Sequence, residues 1–363
     1  MHFYQLYGLI FIASLLATAL ITPPIIQLAH SKNIVDKPGL HKTHQESKPL
    51  LGGLAIFLAI VLTMFMFTSV SGGSGKLLSI LAGAFVLVVT GLFDDIYNLK
   101  PLVKLTGQTL AASIVVLYNL SSYRLFFDTF GRFLVPGWLV TILIIGWIVL
   151  MINAINLIDG VDGLAAGTGA IIFTSMAVIN LINLGSNSML LLQLVGAGAC
   201  AGFLFYNFKP ARIFMGDTGS MLIGFLLSTT YLISINGEFS TSLVLGSIFV
   251  FGYPALDTTF AILRRLVRHK PIFQADKSHI HHLLIGLGLS VRNTVFMLYL
   301  ANGLFGVMAI VMLTMKLSSD VILSIGVVTI LFTYVMLKSL SALCGNTDDA
   351  GSKDACFEKA ESV

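Results

Sequence analysis

The chain has 363 residues, 56% of them hydrophobic and only 10% charged, where a soluble domain carries about 25% charged residues. So little charge cannot cover a water-facing surface, which excludes an ordinary soluble protein and puts most of the chain against lipid. The net charge of +4 does not point to a nucleic-acid partner. The three cysteines, Cys200 in an apolar run and Cys344 and Cys356 in the tail, make neither a disulfide framework nor a metal knuckle.

A helix that crosses a bilayer needs about 20 mainly apolar residues. Eleven segments meet that measure, near 4–29, 51–70, 77–93, 103–119, 137–157, 163–183, 189–206, 219–236, 241–263, 294–315 and 320–341. The first is too long for the apolar stretch of a leader and lacks a small-residue cleavage site, so it reads as a spanning helix. The fourth is the least apolar, opening with Lys104 and containing Gln108. The expected fold is therefore all-α: a polytopic integral membrane protein of about eleven transmembrane helices, with its termini on opposite sides. Residues 1–341 form the membrane domain, and 342–363, polar and mixed in charge, read as a disordered cytoplasmic tail. The aromatic stretch Tyr123, Phe126, Phe127, Phe130 and Phe133 reads as an interfacial belt.

Charge orients the chain. Loops after odd-numbered segments hold fourteen Lys and Arg residues, from Lys32 to Arg292, while loops after even-numbered ones hold four: Lys76, Arg124, Arg132 and Lys316. The excess of positive charge places the odd loops in the cytoplasm and the N-terminus outside. Nine of the twelve acids outside the tail fall on the same cytoplasmic side. Acids carry little topological information, so their one-sidedness points to a site.

Five cytoplasmic loops carry the chemistry. The first runs Asp36-Lys-Pro-Gly-Leu-His41-Lys42-Thr-His44 and then Pro49-Leu-Leu-Gly52-Gly53, and offers Lys42 and two histidines to a phosphate. The second pairs Asp94 with Asp95, adjacent carboxylates that repel unless a cation binds or one holds a proton. Lys104 follows on the same membrane face, able to pair with the acids or hold a phosphate. The third reads Asn153-Ala-Ile-Asn156-Leu-Ile-Asp159-Gly160-Val-Asp162-Gly163-Leu164. Its two asparagines and Asp159 share one helix face, and such oxygen ligands suit Mg²⁺. The fourth, Asn207-Phe-Lys-Pro-Ala-Arg-Ile-Phe214-Met-Gly216-Asp217-Thr-Gly219-Ser220, leads into a helix. One of Asp217, Thr218 and Ser220 there is expected to be the helix cap, and Phe214 offers a stacking face to a base. The fifth holds Arg264, Arg265 and Arg268, then Asp276-Lys277-Ser278-His279-Ile280-His281-His282, with Asp257 in the preceding helix as a neutralising partner for an arginine. A His-x-His-His run has zinc-ligand chemistry, but three imidazoles so close in sequence rarely all reach one ion, so phosphate or sugar recognition is preferred. Acids, lysines, arginines and histidines gathered on one face fit phosphoryl transfer, which depends on positioning and charge neutralisation.

With these motifs in order from Asp36 to His282, the sequence resembles the polyprenyl-phosphate N-acetylhexosamine-1-phosphate transferases (glycosyltransferase family 4). Bacterial phospho-MurNAc-pentapeptide translocase and eukaryotic GlcNAc-1-phosphate transferase are members. Asn-x-x-Asn-x-x-Asp-Gly-x-Asp-Gly-Leu and Phe-Met-Gly-Asp-x-Gly-Ser are the most specific motifs. His279-Ile280-His281-His282 and the Asp-Lys-Pro opening resemble the branch that transfers GlcNAc-1-phosphate from UDP-GlcNAc to undecaprenyl phosphate, with release of UMP. That branch begins O-antigen, common-antigen or teichoic-acid linkage assembly in the bacterial inner membrane.

The resemblance implies Mg²⁺, with Mn²⁺ as a substitute, held by Asp217 with Asn156. It implies catalytic roles for Asp94, Asp95, Asp159 and Asp217, Asp94 acting on the acceptor phosphate. Lys42 and Lys104 would bind phosphate, Asn207 and Phe214 the uracil, with Asn153, Asn156, Asp159 and Asp162 nearby. His279, His281, His282, Arg264, Arg265 and Arg268 would grip the diphosphate and sugar. His41, where the family often has Arg, and Ala275, where it commonly has Pro, depart from the pattern and bear on sugar specificity. Direct attack and a route through an aspartyl-phosphate both fit, as do monomer and homodimer. Another UDP-N-acetylhexosamine or UDP-MurNAc-pentapeptide is the alternative donor, and a lipid-linked sugar flippase or a metal-binding membrane scaffold is the rival of another class.

Overall fold

The computed structural model describes residues 2–36, 47–67, 75–123, 135–182, 187–234, 245–246, 248–267, 269 and 279–346. Lys42, His41, His44, Arg268, Ala275 and most of the aromatic stretch lie outside them. The described chain is helical apart from one two-stranded antiparallel ribbon, β1 (Val35–Asp36) against β2 (Lys48–Pro49). The helices are α1 (His2–Ser31), α2 (Gly52–Met66), α3 (Gly75–Tyr97), α4 (Pro101–Tyr118), α5 (Gly137–Ile158), α6 (Leu164–Ile182), α7 (Asn187–Asn207), α8 (Gly216–Ser234), α9 (Gly252–Val267), the short α10 (Ile280–Gly286), α11 (Val291–Thr314) and α12 (Ser319–Asn346).

Each of the eleven apolar segments contains a helix. Eight of the helices are long and apolar enough to cross a membrane: α1, α3, α4, α5, α6, α7, α11 and α12, while α2 is a shorter apolar helix. The protein is thus an all-α polytopic membrane protein. The last helix runs to Asn346, so its end extends into the segment expected to be tail.

Helix α8 is the axis of the bundle. Every residue from Thr218 to Ile233 is buried, and α2, α3, α5, α6 and α7 all pack on it. A helix can be surrounded this closely only if small residues let backbones approach, since in lipid the packing itself, rather than exclusion of water, holds helices together. A Cβ on Gly53 would collide with the Gly219 backbone, and one on Gly224 would stand 2.7 Å from the Ile152 Cα. The first contact brings the N-terminal ends of α2 and α8 together, and the second seats α5 against α8. The amides of Gly52 and Gly53 donate to the carbonyls of Phe214 and Met215, at 3.1 and 2.8 Å.

Lipid-facing positions are correspondingly apolar, as at Phe65, Leu78, Leu300 and Phe332, all well exposed on the isolated chain. The central helix is the opposite case, with Ser228, Thr229 and Thr230 buried and turned back onto carbonyls of their own helix. Such back-bonding satisfies hydroxyls where no water reaches.

Gly224→Val is expected to lower the thermal midpoint of the detergent-purified protein, because overpacking a tight contact costs about 1–3 kcal/mol. Gly146→Ala, at a position with nothing within 4 Å, is the matched control and should be neutral or stabilising. Aggregation after heating, followed by size-exclusion chromatography, reads both; equal midpoints for the two variants would disprove the close α5–α8 contact.

Candidate active site

The site is built where α3 ends and α8 begins. Successive residues on a helix point about 100° apart, so the adjacent Asp94 and Asp95 face different partners. Asp95 turns to α8, whose first amides have no partner within their own helix. Its carboxylate accepts from the amides of Asp217 and Thr218, at 2.8 and 3.2 Å, and from the Thr218 hydroxyl at 2.6 Å. The expected local cap at Asp217, Thr218 or Ser220 is therefore not what closes this helix; an acid from another helix does. Gly216, with φ +69, admits the arrangement, since a Cβ there would meet Asp95 Oδ2 and the Leu50 carbonyl at 2.6 Å each.

Asp94 is buried and turns the other way. Its Oδ1 accepts from the Leu99 amide at 2.8 Å, and its Oδ2 lies 2.6 Å from the Lys104 ammonium. The same ammonium lies 2.6 Å from Asp217 Oδ2. Lys104 thus bridges acids from α3 and α8, the pairing its place near the two acids had offered. Asp94, Asp95 and Asp217 offer carboxylate oxygens that all lie within 4.8 Å of one another. Three carboxylates lie together and one ammonium pairs with two of them, so the cluster carries an excess of negative charge. An all-oxygen donor set of that charge fits a hard divalent cation such as Mg²⁺, and the shared ammonium shows that the pocket accepts positive charge.

Helix α4 presents a second polar group one turn beyond Lys104. Gln108, only 3% exposed, forms a reciprocal amide pair with Asn153, whose Nδ2 donates to Gln108 Oε1 at 2.8 Å. Gln108 weakened the sequence case for a spanning helix, and sequence reasoning assigned it no role in the site. The signal was its spacing: Lys104 and Gln108 stand four apart on one face. Asn156, a turn after Asn153, donates to the Ser220 hydroxyl at 3.1 Å and lies beside the Asp217 carboxylate. The shared face of Asn153 and Asn156 therefore meets α4 and α8.

Asp159 caps the C-terminal end of α5 and opens the turn to α6. Burial, and then the charges of Asp217, Asp95 and Asp162, push its carboxyl well above the usual carboxylate range. Asp162 accepts from the Ala211 amide at 3.1 Å. Asn207 is buried with both ends of its amide engaged, accepting from the Gly163 amide at 3.1 Å and donating to the Ile213 carbonyl at 3.0 Å. It ties the α5–α6 turn to the loop before α8. Phe214 is half-buried in that loop, its amide bonded to the Pro49 carbonyl at 2.8 Å.

The histidine run docks on the same turn. Asp257, rather than neutralising an arginine in the contacts seen, receives the Ile280 amide at 3.0 Å and His279 Nδ1 at 2.8 Å. This fixes the start of α10 and lays His281 over Gly160, where an added Cβ would stand 3.5 Å from His281 Nε2. Burial, with His282 and His279 alongside, pushes the His281 imidazole well below its usual range. His279 and His281 stack with centroids 5.8 Å apart, and His282 lies tilted against His281 at 4.2 Å. Arg265 is buried and Arg264 half-buried on the last turn of α9.

Comparison with known proteins agrees with this site. The model of the family described as glycosyl transferase family 4 matches residues 77–235, which hold Asp94, Lys104, the asparagine helix and Asp217. A probable undecaprenyl-phosphate N-acetylglucosaminyl 1-phosphate transferase of Bacillus subtilis (strain 168) is 38% identical over 330 residues, covering 90% of this chain and 89% of that protein. Decaprenyl-phosphate N-acetylglucosaminephosphotransferase of Mycobacterium tuberculosis (strain H37Rv) is 34% identical, over 82% of this chain and 80% of its own. Undecaprenyl-phosphate alpha-N-acetylglucosaminyl 1-phosphate transferase of Escherichia coli (strain K12) is 28% identical, over 77% and 76%. Likeness of this extent, running through every element that builds the carboxylate cluster, means that the chain belongs to glycosyl transferase family 4, in its polyprenyl-phosphate N-acetylglucosamine-1-phosphate transferase branch.

Proposed function

We propose that this multi-pass protein of the bacterial inner membrane transfers GlcNAc-1-phosphate from UDP-GlcNAc to undecaprenyl phosphate at the cytoplasmic face. The products are UMP and GlcNAc-diphosphoryl-undecaprenol, the starting unit of an O-antigen, common-antigen or teichoic-acid type glycan. The observation that carries the reading is the cluster of Asp94, Asp95 and Asp217, two of them paired with the Lys104 ammonium, where α3 ends and the buried α8 begins. The Bacillus and Escherichia relatives are named for undecaprenyl phosphate and the Mycobacterium relative for decaprenyl phosphate; all three are named for N-acetylglucosamine.

In the reaction, an oxygen of the lipid phosphate bonds to the β-phosphorus of the nucleotide sugar. The bond from that phosphorus to the bridging oxygen breaks, and UMP leaves with the electron pair. Asp94 orients the acceptor phosphate and takes its proton when it carries one. Lys104, already held between two acids, neutralises charge on the diphosphate. Asp217 with Asn156, and Asp94 beside them, would hold Mg²⁺ or Mn²⁺, which when bound withdraws charge from phosphate oxygens. Asp95 keeps Asp217 in place through the α8 amides. Asp159 and Asp162 flank the nucleoside, Phe214 stacks on uracil, and Asn153 and Asn207 hold the frame of the pocket. Lys42, His279, His281, His282, Arg264, Arg265 and Arg268 contact the diphosphate and sugar. Asp94, Asp95 and Asp217 each already engage donors, which supports direct attack over an aspartyl-phosphate.

Purified protein with undecaprenyl phosphate and Mg²⁺ should release UMP from UDP-GlcNAc and not from UDP-MurNAc-pentapeptide, and EDTA should stop release until Mg²⁺ is restored. Release from the pentapeptide nucleotide alone would overturn the donor, and no release from any UDP-sugar would favour a flippase or a scaffold. Asp217→Asn should lower kcat by about 10²-fold or more; wild-type turnover in that variant would refute the metal assignment. Asp95→Asn should lower kcat and the thermal midpoint together, because it replaces with a donor one of the two oxygens that accept from three donors, whereas Lys104→Gln should lower kcat with a smaller change in midpoint. Parallel assays of turnover and unfolding separate the two; an Asp95→Asn variant with unchanged stability would contradict its role at α8.

A further inference from the structure

The loop acids need a rigid frame, and part of it comes from α11, a helix that carries none of the loop motifs. Three of its residues, Arg292, Phe296 and Tyr299, lie along one helix face. Arg292 Nη2 donates to the Lys209 carbonyl at 3.2 Å. Phe296 packs on Phe208 with ring centroids 5.6 Å apart and meets the Tyr299 ring edge-on at 6.3 Å. The Tyr299 hydroxyl donates to the Gly163 carbonyl at 2.6 Å.

The turn is shaped to receive that hydroxyl. Gly163 takes φ +81, a conformation that favours glycine, and a Cβ there would lie 3.4 Å from the Tyr299 hydroxyl oxygen. Gly167, one helical turn further, leaves the space filled by the Tyr299 ring, so that any side chain there would overlap it. With Asn207 accepting from the Gly163 amide at 3.1 Å, the same residue is held at its N–H by the end of α7 and at its C=O by α11. Asp159 and Asp162 lie within this short segment. An error of about 1 Å in a positioned group costs as much as 10²-fold in rate.

We infer that Tyr299 is a positioning residue for the transferase reaction, fixing the Asp159–Gly163 turn through its hydroxyl bond to the Gly163 carbonyl. The inference rests on the proposed reaction for its kinetic consequence, but its structural part stands apart from it.

Tyr299→Phe keeps the ring in the Gly167 groove and removes only the hydroxyl. Gly167→Ala keeps the hydroxyl and displaces the ring. Full-length purified variants should both show kcat lowered about fivefold, the worth of one hydrogen bond, with KM for undecaprenyl phosphate unchanged. For Tyr299→Phe the thermal midpoint should stay within about 2 °C, and amide hydrogen exchange across residues 159–163 should quicken while the rest of α5 and α6 is unaffected. Unchanged kcat and exchange in Tyr299→Phe would overturn the inference, as would a loss of activity that tracks a falling midpoint in both variants. If wild-type protein releases no UMP from UDP-GlcNAc, the reaction reading falls, and the exchange measurement still decides whether Tyr299 holds the turn.

Discussion

The start of α8 depends on a carboxylate that belongs to another helix. A helix N-terminus leaves amides without partners and carries partial positive charge. In a membrane protein such groups must be satisfied from within the protein. Asp95 supplies both the acceptors and the negative charge across the α3–α8 contact. Asp217, the first acidic residue of α8, is then delivered to the side of Asp94 and Lys104. The carboxylate cluster follows from capping one buried helix with one acid.

That contact needs backbones close enough for a short acid to reach. Gly91 of α3 lies against Thr218, where a Cβ would stand 2.7 Å from the Thr218 amide nitrogen, and Gly53 of α2 lies against Gly219. The glycines therefore work for the site as well as for packing. Polar side chains below the cluster are paired in turn, Gln108 with Asn153 and Asn156 with Ser220. An unpaired amide at that depth is costly, so these pairs help to specify the register of α4, α5 and α8.

Much of the site was legible because its residues are conspicuous in an apolar chain. Asp94 with Asp95, and the run Asn153, Asn156 and Asp159, stand out against helices that carry few other acids. Their helical spacing also gave the shared face correctly. Division of labour was less visible. Asp95 and Asn207 appear in sequence as substrate-facing groups, yet one is engaged by the end of α8 and the other by two loops. Asp257 reads as a neutralising partner for an arginine, and among the described residues it engages His279 and the Ile280 amide. Tyr299 and Gln108 lacked a motif, since an aromatic or an amide on a spanning helix has many ordinary roles.

From the sequence alone came the membrane class, the succession of apolar helices, and the side of the protein on which its chemistry gathers. Those properties follow from local composition: apolar length, helical period and the placement of charge. Only the tertiary structure decided which acid caps a helix and which faces a cation, that Lys104 joins α3 to α8, and that α11 reaches the Asp159–Gly163 turn. Each of these is a meeting of residues far apart in the chain, set by how closely the helices approach one another, and no local pattern encodes that distance.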